Sequence, residues 1–166
     1  HSYSLVSQGE FACLGAAGSR LLAWRHDGSC VVRDLGTPIT CIALSPSARV
    51  CIVGLREGAS FAFLADSWEL VGGHEGPSSV SSAILFDDDV ALSCYGGLSA
   101  TLVRWRTSSG AEIERFADPH HLRHFYWAHN RTVQQLQPAD VEGDAFLTLH
   151  GDGTCLAWRS GTHEPI

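Results

Sequence analysis

The apolar positions of this 166-residue chain fall in runs of four to eight, either continuous or alternating with polar residues, each broken by Gly, Ser, Asp or Pro. Helical spacing is confined to a turn or two within 119–128. Successive side chains of a strand face opposite sides of a sheet, so short runs bounded by turn formers predict β-strands. The runs group in fours. The first set is 3–6, 11–14, 21–24 and 30–32, and the second is 39–44, 50–54, 60–64 and 68–71. A third set follows at 80–86, 90–94, 101–105 and 112–116. The fourth, at 132–137, 146–149 and 154–158, stops one strand short.

The sets keep a register. The aromatics that end each third strand are Trp24, Phe63, Trp105 and Trp158, at intervals of 39, 42 and 53 residues. The first two intervals are close to the roughly 40–45 residues of a four-stranded propeller blade. Extra residues at 118–128 lengthen the third. Arg follows three of the aromatics, and a turn recurs six residues before two of them, as Glu57-Gly58 and Asp152-Gly153. A competing register puts the first turn at Asp27-Gly28 and a third strand at 30–34. It leaves too few residues before Ile39 for a fourth strand, so Trp24 is taken as the marker.

The last set is the most complete. Asp152-Gly153 reads as a tight turn, because Gly carries no Cβ penalty and Asp tolerates turn geometry. Around it stand Thr148 before the turn, Trp158 after it and His129 upstream. An Asp can cap such a turn and orient an imidazole, while a hydroxyl can bridge to an indole N–H, so the buried polar groups are satisfied. With these residues the chain resembles the WD-repeat β-propellers, in which a His, a Ser or Thr, an Asp and a Trp form such a network within a blade. The match at His129, Thr148, Asp152 and Trp158 is full. Elsewhere only markers remain: Trp24 in the first unit, Glu57 and Phe63 in the second, Gly73-His74 and Trp105 in the third, where Ser99 replaces the Asp. Arg stands three times where the family has the Asp of Trp-Asp.

The resemblance implies an all-β fold, a β-propeller of four-stranded antiparallel blades, with about four blades present as part of a larger ring. The chain would be one partial propeller, 1–166, with repeats at 1–35, 36–73, 74–128 and 129–166. It also implies a non-catalytic scaffold for protein–protein contact within a larger protein or a multi-subunit assembly, its partners being other protein subunits. Loops at either end of the blades would carry the specificity.

Composition narrows the function further. A net charge of −7, with all 11 basic residues Arg, argues against non-specific nucleic-acid binding, which needs a basic face. An alternative within the binding class is a subunit of an RNA–protein complex using local Arg such as Arg104, Arg106, Arg123 and Arg131. No run approaches the roughly 18 apolar residues of a membrane helix, so no membrane insertion is expected. None of the six Cys forms a CxxC pair, and each lies in an apolar run, as reduced core thiols do. That points to an intracellular, cytoplasmic location, with organelle, nucleus and cilium open.

Chemistry is sparse. The segment from Pro119 to His129 holds His120, His121, His124 and His129 among Phe125, Tyr126 and Trp127. Four imidazoles suggest a metal, but neither Cys nor carboxylate stands at ligand spacing, so no metal site is assigned. His120, His121, His124, Phe125, Tyr126 and Trp127 read instead as an insertion for partner binding, since exposed aromatics beside Arg make interface anchors. No zinc-protease, nucleophile-elbow or phosphate-loop motif occurs. A propeller-type hydrolase is the rival from another class. The expectation is no enzyme, no cofactor and no small-molecule substrate.

Overall fold

A computed structural model describes residues 5–8, 11–96, 101–117, 133–140, 144–151, 153–162 and 165. Each predicted set forms one antiparallel meander. Strands β1 to β4 are Leu5–Gln8, Phe11–Ala17, Arg20–Arg25 and Cys30–Asp34. Strands β5 to β8 are Ile39–Leu44, Val50–Leu55, Ala59–Leu64 and Leu70–Glu75. Strands β9 to β12 are Val80–Leu85, Val90–Tyr95, Thr101–Arg106 and Glu112–Ala117. The last sheet holds β13 to β15, Val133–Pro138, Ala145–His150 and Cys155–Arg159. Within every sheet the strands lie in chain order. The fourth strand of the second sheet starts later than expected, at Leu70, because Trp68 takes a positive φ of 57° and extends the turn. It also runs across the expected repeat boundary at 73/74, so sequence unit and sheet are offset there.

The aromatic register is structural. Trp24, Phe63, Trp105 and Trp158 pair with Cys13, Cys51, Ala91 and Phe146, each near the start of its second strand. Residues 30–34 form the outer strand β4, so Asp27-Gly28 is a turn between third and fourth strands. There Asp27 accepts the Ser29 amide at 2.8 Å. The turns at Gly58 and Gly153 share a positive φ, +98° and +85°, the geometry for which Gly was expected. On the outer side of β15, Pro165 pairs with Trp158, seven residues on, as Glu112 pairs with Trp105 and Leu70 with Phe63. Pro165 thus holds the register place of an outer strand.

The sheets stack face to face, with β5, β9 and β13 side by side along the inner edge. Three cores form between them. Leu14, Leu21, Val53 and Phe63 fill the first, Ile52, Val80, Val103 and Trp105 the second, and Leu92, Phe116, Phe146 and Trp158 the third. Phe146 and Trp158 stack at 6.0 Å in the third. Each sheet therefore buries both faces only where it has a neighbour on both sides. Among the described residues no fourth core joins the last sheet to the first, and none of their helices is long and apolar enough to cross a membrane.

Candidate functional site

The polar side chains buried inside the molecule sit mostly between sheets. On β10, alternation points Ala91, Ser93 and Tyr95 toward the second sheet. Ser93, fully buried, accepts the indole N–H of Trp105 at 3.0 Å and the hydroxyl of Ser60, on the facing sheet, at 2.9 Å. Tyr95 donates to Ser60 at 3.4 Å, and burial raises its phenol pKa. Four buried polar groups thus satisfy one another across the second core, as an apolar setting demands. His74 lies alongside, on β8 rather than in a loop. It stacks on Trp105 at 5.9 Å and is tilted against Tyr95 at 5.8 Å. Its Nδ1 donates to the Gly110 carbonyl at 3.2 Å, which fixes the Nδ1–H tautomer because a carbonyl only accepts. Gly110 has φ +71°, and a Cβ there would meet the Gly73 oxygen at 2.1 Å. The close approach that brings His74 to this turn needs Gly.

The last sheet repeats the device with other residues. The Trp158 indole donates to the Thr148 hydroxyl at 3.0 Å, and the same hydroxyl lies 3.0 Å from His150 Nε2. His150 occupies the register place of Tyr95, two residues beyond the hydroxyl on the second strand. The imidazole that meets Thr148 therefore comes from β14 itself; His129 and Asp152 lie outside the described residues. So do Ser99 and the segment His120, His121, His124, Phe125, Tyr126 and Trp127. Of the remaining markers, Glu57 sits at the exposed β6–β7 turn, 3.5 Å from the Thr37 hydroxyl, and joins no buried network. Trp24 is 40% exposed, because among the described residues no sheet covers that face of the first sheet.

Other candidate chemistry is also engaged. Asp87 accepts the Asp89 and Val90 amides at 2.7 Å, which makes it a turn cap. Asp89 binds Ser108 at 2.6 Å and Arg106 at 2.6 Å, and those contacts, the hydroxyl first, hold its carboxyl below the usual range. Asp88 accepts from Ser47 of the second sheet at 2.5 Å. Of the arginines proposed for RNA, Arg106 is in that ion pair, and Arg104 donates to Ser160 at 2.9 Å while lying over the Phe86 ring. Arg123 and Arg131 lie outside the described residues. The thiols of Cys41 and Cys51 are pushed up to about 12, chiefly by burial, so neither is a nucleophile at neutral pH. Among the described residues no three His, Cys, Asp or Glu side chains converge on a metal position.

Sequence reasoning missed Ser60, Ser93 and His150. Ser93 stands 12 residues before Trp105 and Thr148 only 10 before Trp158, because the β10–β11 hairpin is two residues longer. Aligning second strands on their pairing partners, Ala91 and Phe146, would have found Ser93. Ser60 carries no motif.

No family model matches the chain, and no curated protein matches it in sequence. A solved structure does. BamB from Moraxella catarrhalis, a β-propeller, superposes with a TM-score of 0.74 at 18% identity over 98% of this chain. The match spans 46% of the BamB chain, about half its length. At that identity the likeness is one of fold, and it agrees with the stacked sheets: this chain is all-β and folds as blades of a β-propeller.

Proposed function

We propose that this chain is a non-catalytic scaffold for protein–protein contact, an arc of propeller blades within a larger protein or multi-subunit assembly. One observation carries this reading. The buried polar residues Ser60, Ser93, Trp105, Thr148, His150 and Trp158 bond to one another between strands. Their donors and acceptors go to holding blades in place, which leaves the end loops to meet partners. The first candidate for such contact is the insertion bearing His120, His121, His124, Phe125, Tyr126 and Trp127, since aromatic side chains are common interface anchors. The WD-repeat pattern, with His129 and Asp152 completing the network around Thr148 and Trp158, belongs to the same proposal. So does an intracellular location. It is supported by Cys30, Cys41, Cys51, Cys94 and Cys155, none of which forms a disulfide, as in a reducing compartment.

The RNA–protein alternative loses support from the internal contacts of Arg104 and Arg106. A hydrolase would need acids or imidazoles converging in one cleft, and the acids of 87–89 are taken up in turn and inter-strand contacts. The test is a protein identified as a partner by proximity labelling, titrated against Phe125→Ala, Tyr126→Ala and Trp127→Ala. At least one substitution should weaken binding by about tenfold or more with the melting temperature unchanged. Full affinity in all three variants would remove the insertion as the contact surface.

A further inference from the structure

The turns that follow the third strands of the second and third sheets share one bonding pattern and differ at the residue that takes a left-handed backbone. In the third sheet the Gly110 amide donates to the Arg106 carbonyl at 2.8 Å, and the Arg106 amide to the Ala111 carbonyl at 2.9 Å. In the second, the Trp68 amide donates to Leu64 at 2.8 Å, and the Leu64 amide to Glu69 at 2.9 Å. Trp68 thus stands where the sister turn has Gly, with φ 57° against 71°. Glycine enters that region freely, whereas a bulky residue does so against its own Cβ. The indole is buried in the first core, 2% exposed and edge-on to Phe63 at 6.4 Å. Its Nε1–H can only donate, and among the described residues it has no hydrogen-bond partner. Two bonds from the first sheet grip this turn. Arg25 donates to the Asp66 carbonyl at 2.7 Å, and Arg33 donates to the Trp68 carbonyl while its guanidinium lies over the Phe63 ring at 5.0 Å.

We propose that turn 65–69 is a latch with a docked and a released state. Docked, it holds the Trp68 indole in the first core, as described above. Released, Trp68 gives up its left-handed φ, the indole leaves the core, and Nε1–H reaches water. The backbone strain and the unpaired buried donor favour release. Burial of the indole and the two arginine bonds oppose it. Residues held this way persist only where their surroundings over-determine them, and they occur in switch regions. The sister turn carries no such load at Gly110, which is at ease in its conformation. Because Arg25 and Arg33 belong to the first sheet, the seating of that sheet on the second is coupled to the exposure of a large aromatic, a residue type suited to anchoring a partner. A partner that takes up the free indole would shift the balance toward release, since a ligand favours the state it binds. The latch goes beyond the proposed scaffold role and uses none of the residues 120–127, so either reading can fail without the other.

The test is hydrogen exchange resolved to single amides, joined to fluorine NMR of the protein labelled with fluorotryptophan. The Trp68 resonance is assigned by its loss in Trp68→Phe. The Leu64 and Trp68 amides should exchange about tenfold or more faster than those of Arg106 and Gly110, as local opening of one turn requires. Arg33→Gln should speed the first pair by about tenfold again, leave the second pair unchanged, and move the Trp68 resonance toward the position of a solvent-exposed indole. Arg25→Gln, which removes the other bond to the turn, should act in the same direction, and circular dichroism would verify that both variants fold. Equal protection of the two turns, a Trp68 resonance that ignores both substitutions, or faster exchange spread evenly over the whole chain would overturn the proposal.

Discussion

Trp24 and Trp105 occupy the same place in their sheets, fifth in the third strand and paired across to the second strand. Trp105 is 0% exposed, bonded to Ser93 and stacked on His74; Trp24 is 40% exposed. The residue, the strand and the register are shared, and two things differ: the second sheet covers Trp105 while among the described residues no sheet covers Trp24, and Gly15 stands in the first sheet where the third has Ser93. Each blade supplies half of a core. What turns a repeated aromatic into a core residue is the small, aliphatic face that meets it, Ile52, Gly54 and Ala62 for Trp105. This is the physics of repeat proteins, whose stability is a sum of unit and interface terms.

The comparison predicts unequal costs for equal substitutions. Trp105→Ala should destabilise by about 3–5 kcal/mol, the range for emptying an aromatic core site. Urea unfolding would measure it, and a cost under about 1 kcal/mol would mean that the second core is looser than its burial implies. Ser93→Ala should cost about 1–3 kcal/mol, since the Trp105 N–H and the Ser60 hydroxyl then lose their buried partner. A neutral outcome would show that water reaches this interface. Trp24→Ala, measured in dilute solution, should cost about 1 kcal/mol or less, in line with a half-covered surface side chain. A loss matching that of Trp105→Ala would break the comparison.

The smallest effect lies at the exposed ion pair. The folded-state pKa of Asp89 is lowered, first by the Ser108 hydroxyl and then by Arg106. Its contribution to stability is therefore present above the ordinary carboxylate pKa of about 3.9 and lost as pH falls through the lowered value. With the Asp89 side chain 43% exposed, solvent screening holds this to a few tenths of a kcal/mol. Asp89→Asn should flatten the acid limb of stability against pH by that amount. An unaltered limb would assign it to other carboxylates.

The strand plan was legible in the sequence because burial on alternate faces imposes a period of two, and Trp24, Phe63, Trp105 and Trp158 mark its phase. The leg from Trp158 to Thr148 was legible too, since an indole donor and a hydroxyl acceptor facing one core imply each other. His150 was not: inside Ala145–His150 it reads as the polar end of an apolar run, and only the pairing shows that it shares a face with Thr148. Ser60 and Ser93 were hidden for another reason. Their bond crosses between sheets, at a sequence distance of 33, and no local pattern encodes it. Exposure at Trp24 was illegible in principle, because the motif describes one blade and burial depends on two.

The central claim is that the polar residues between blades hold the fold together instead of forming a site. A double-mutant cycle on Ser93→Ala and Trp105→Phe tests it most directly, since the cycle cancels the volume lost with the indole and isolates the bond between the two groups. The account predicts a coupling of about 1 kcal/mol or more in unfolding free energy. Additivity to within about 0.3–0.5 kcal/mol would contradict it.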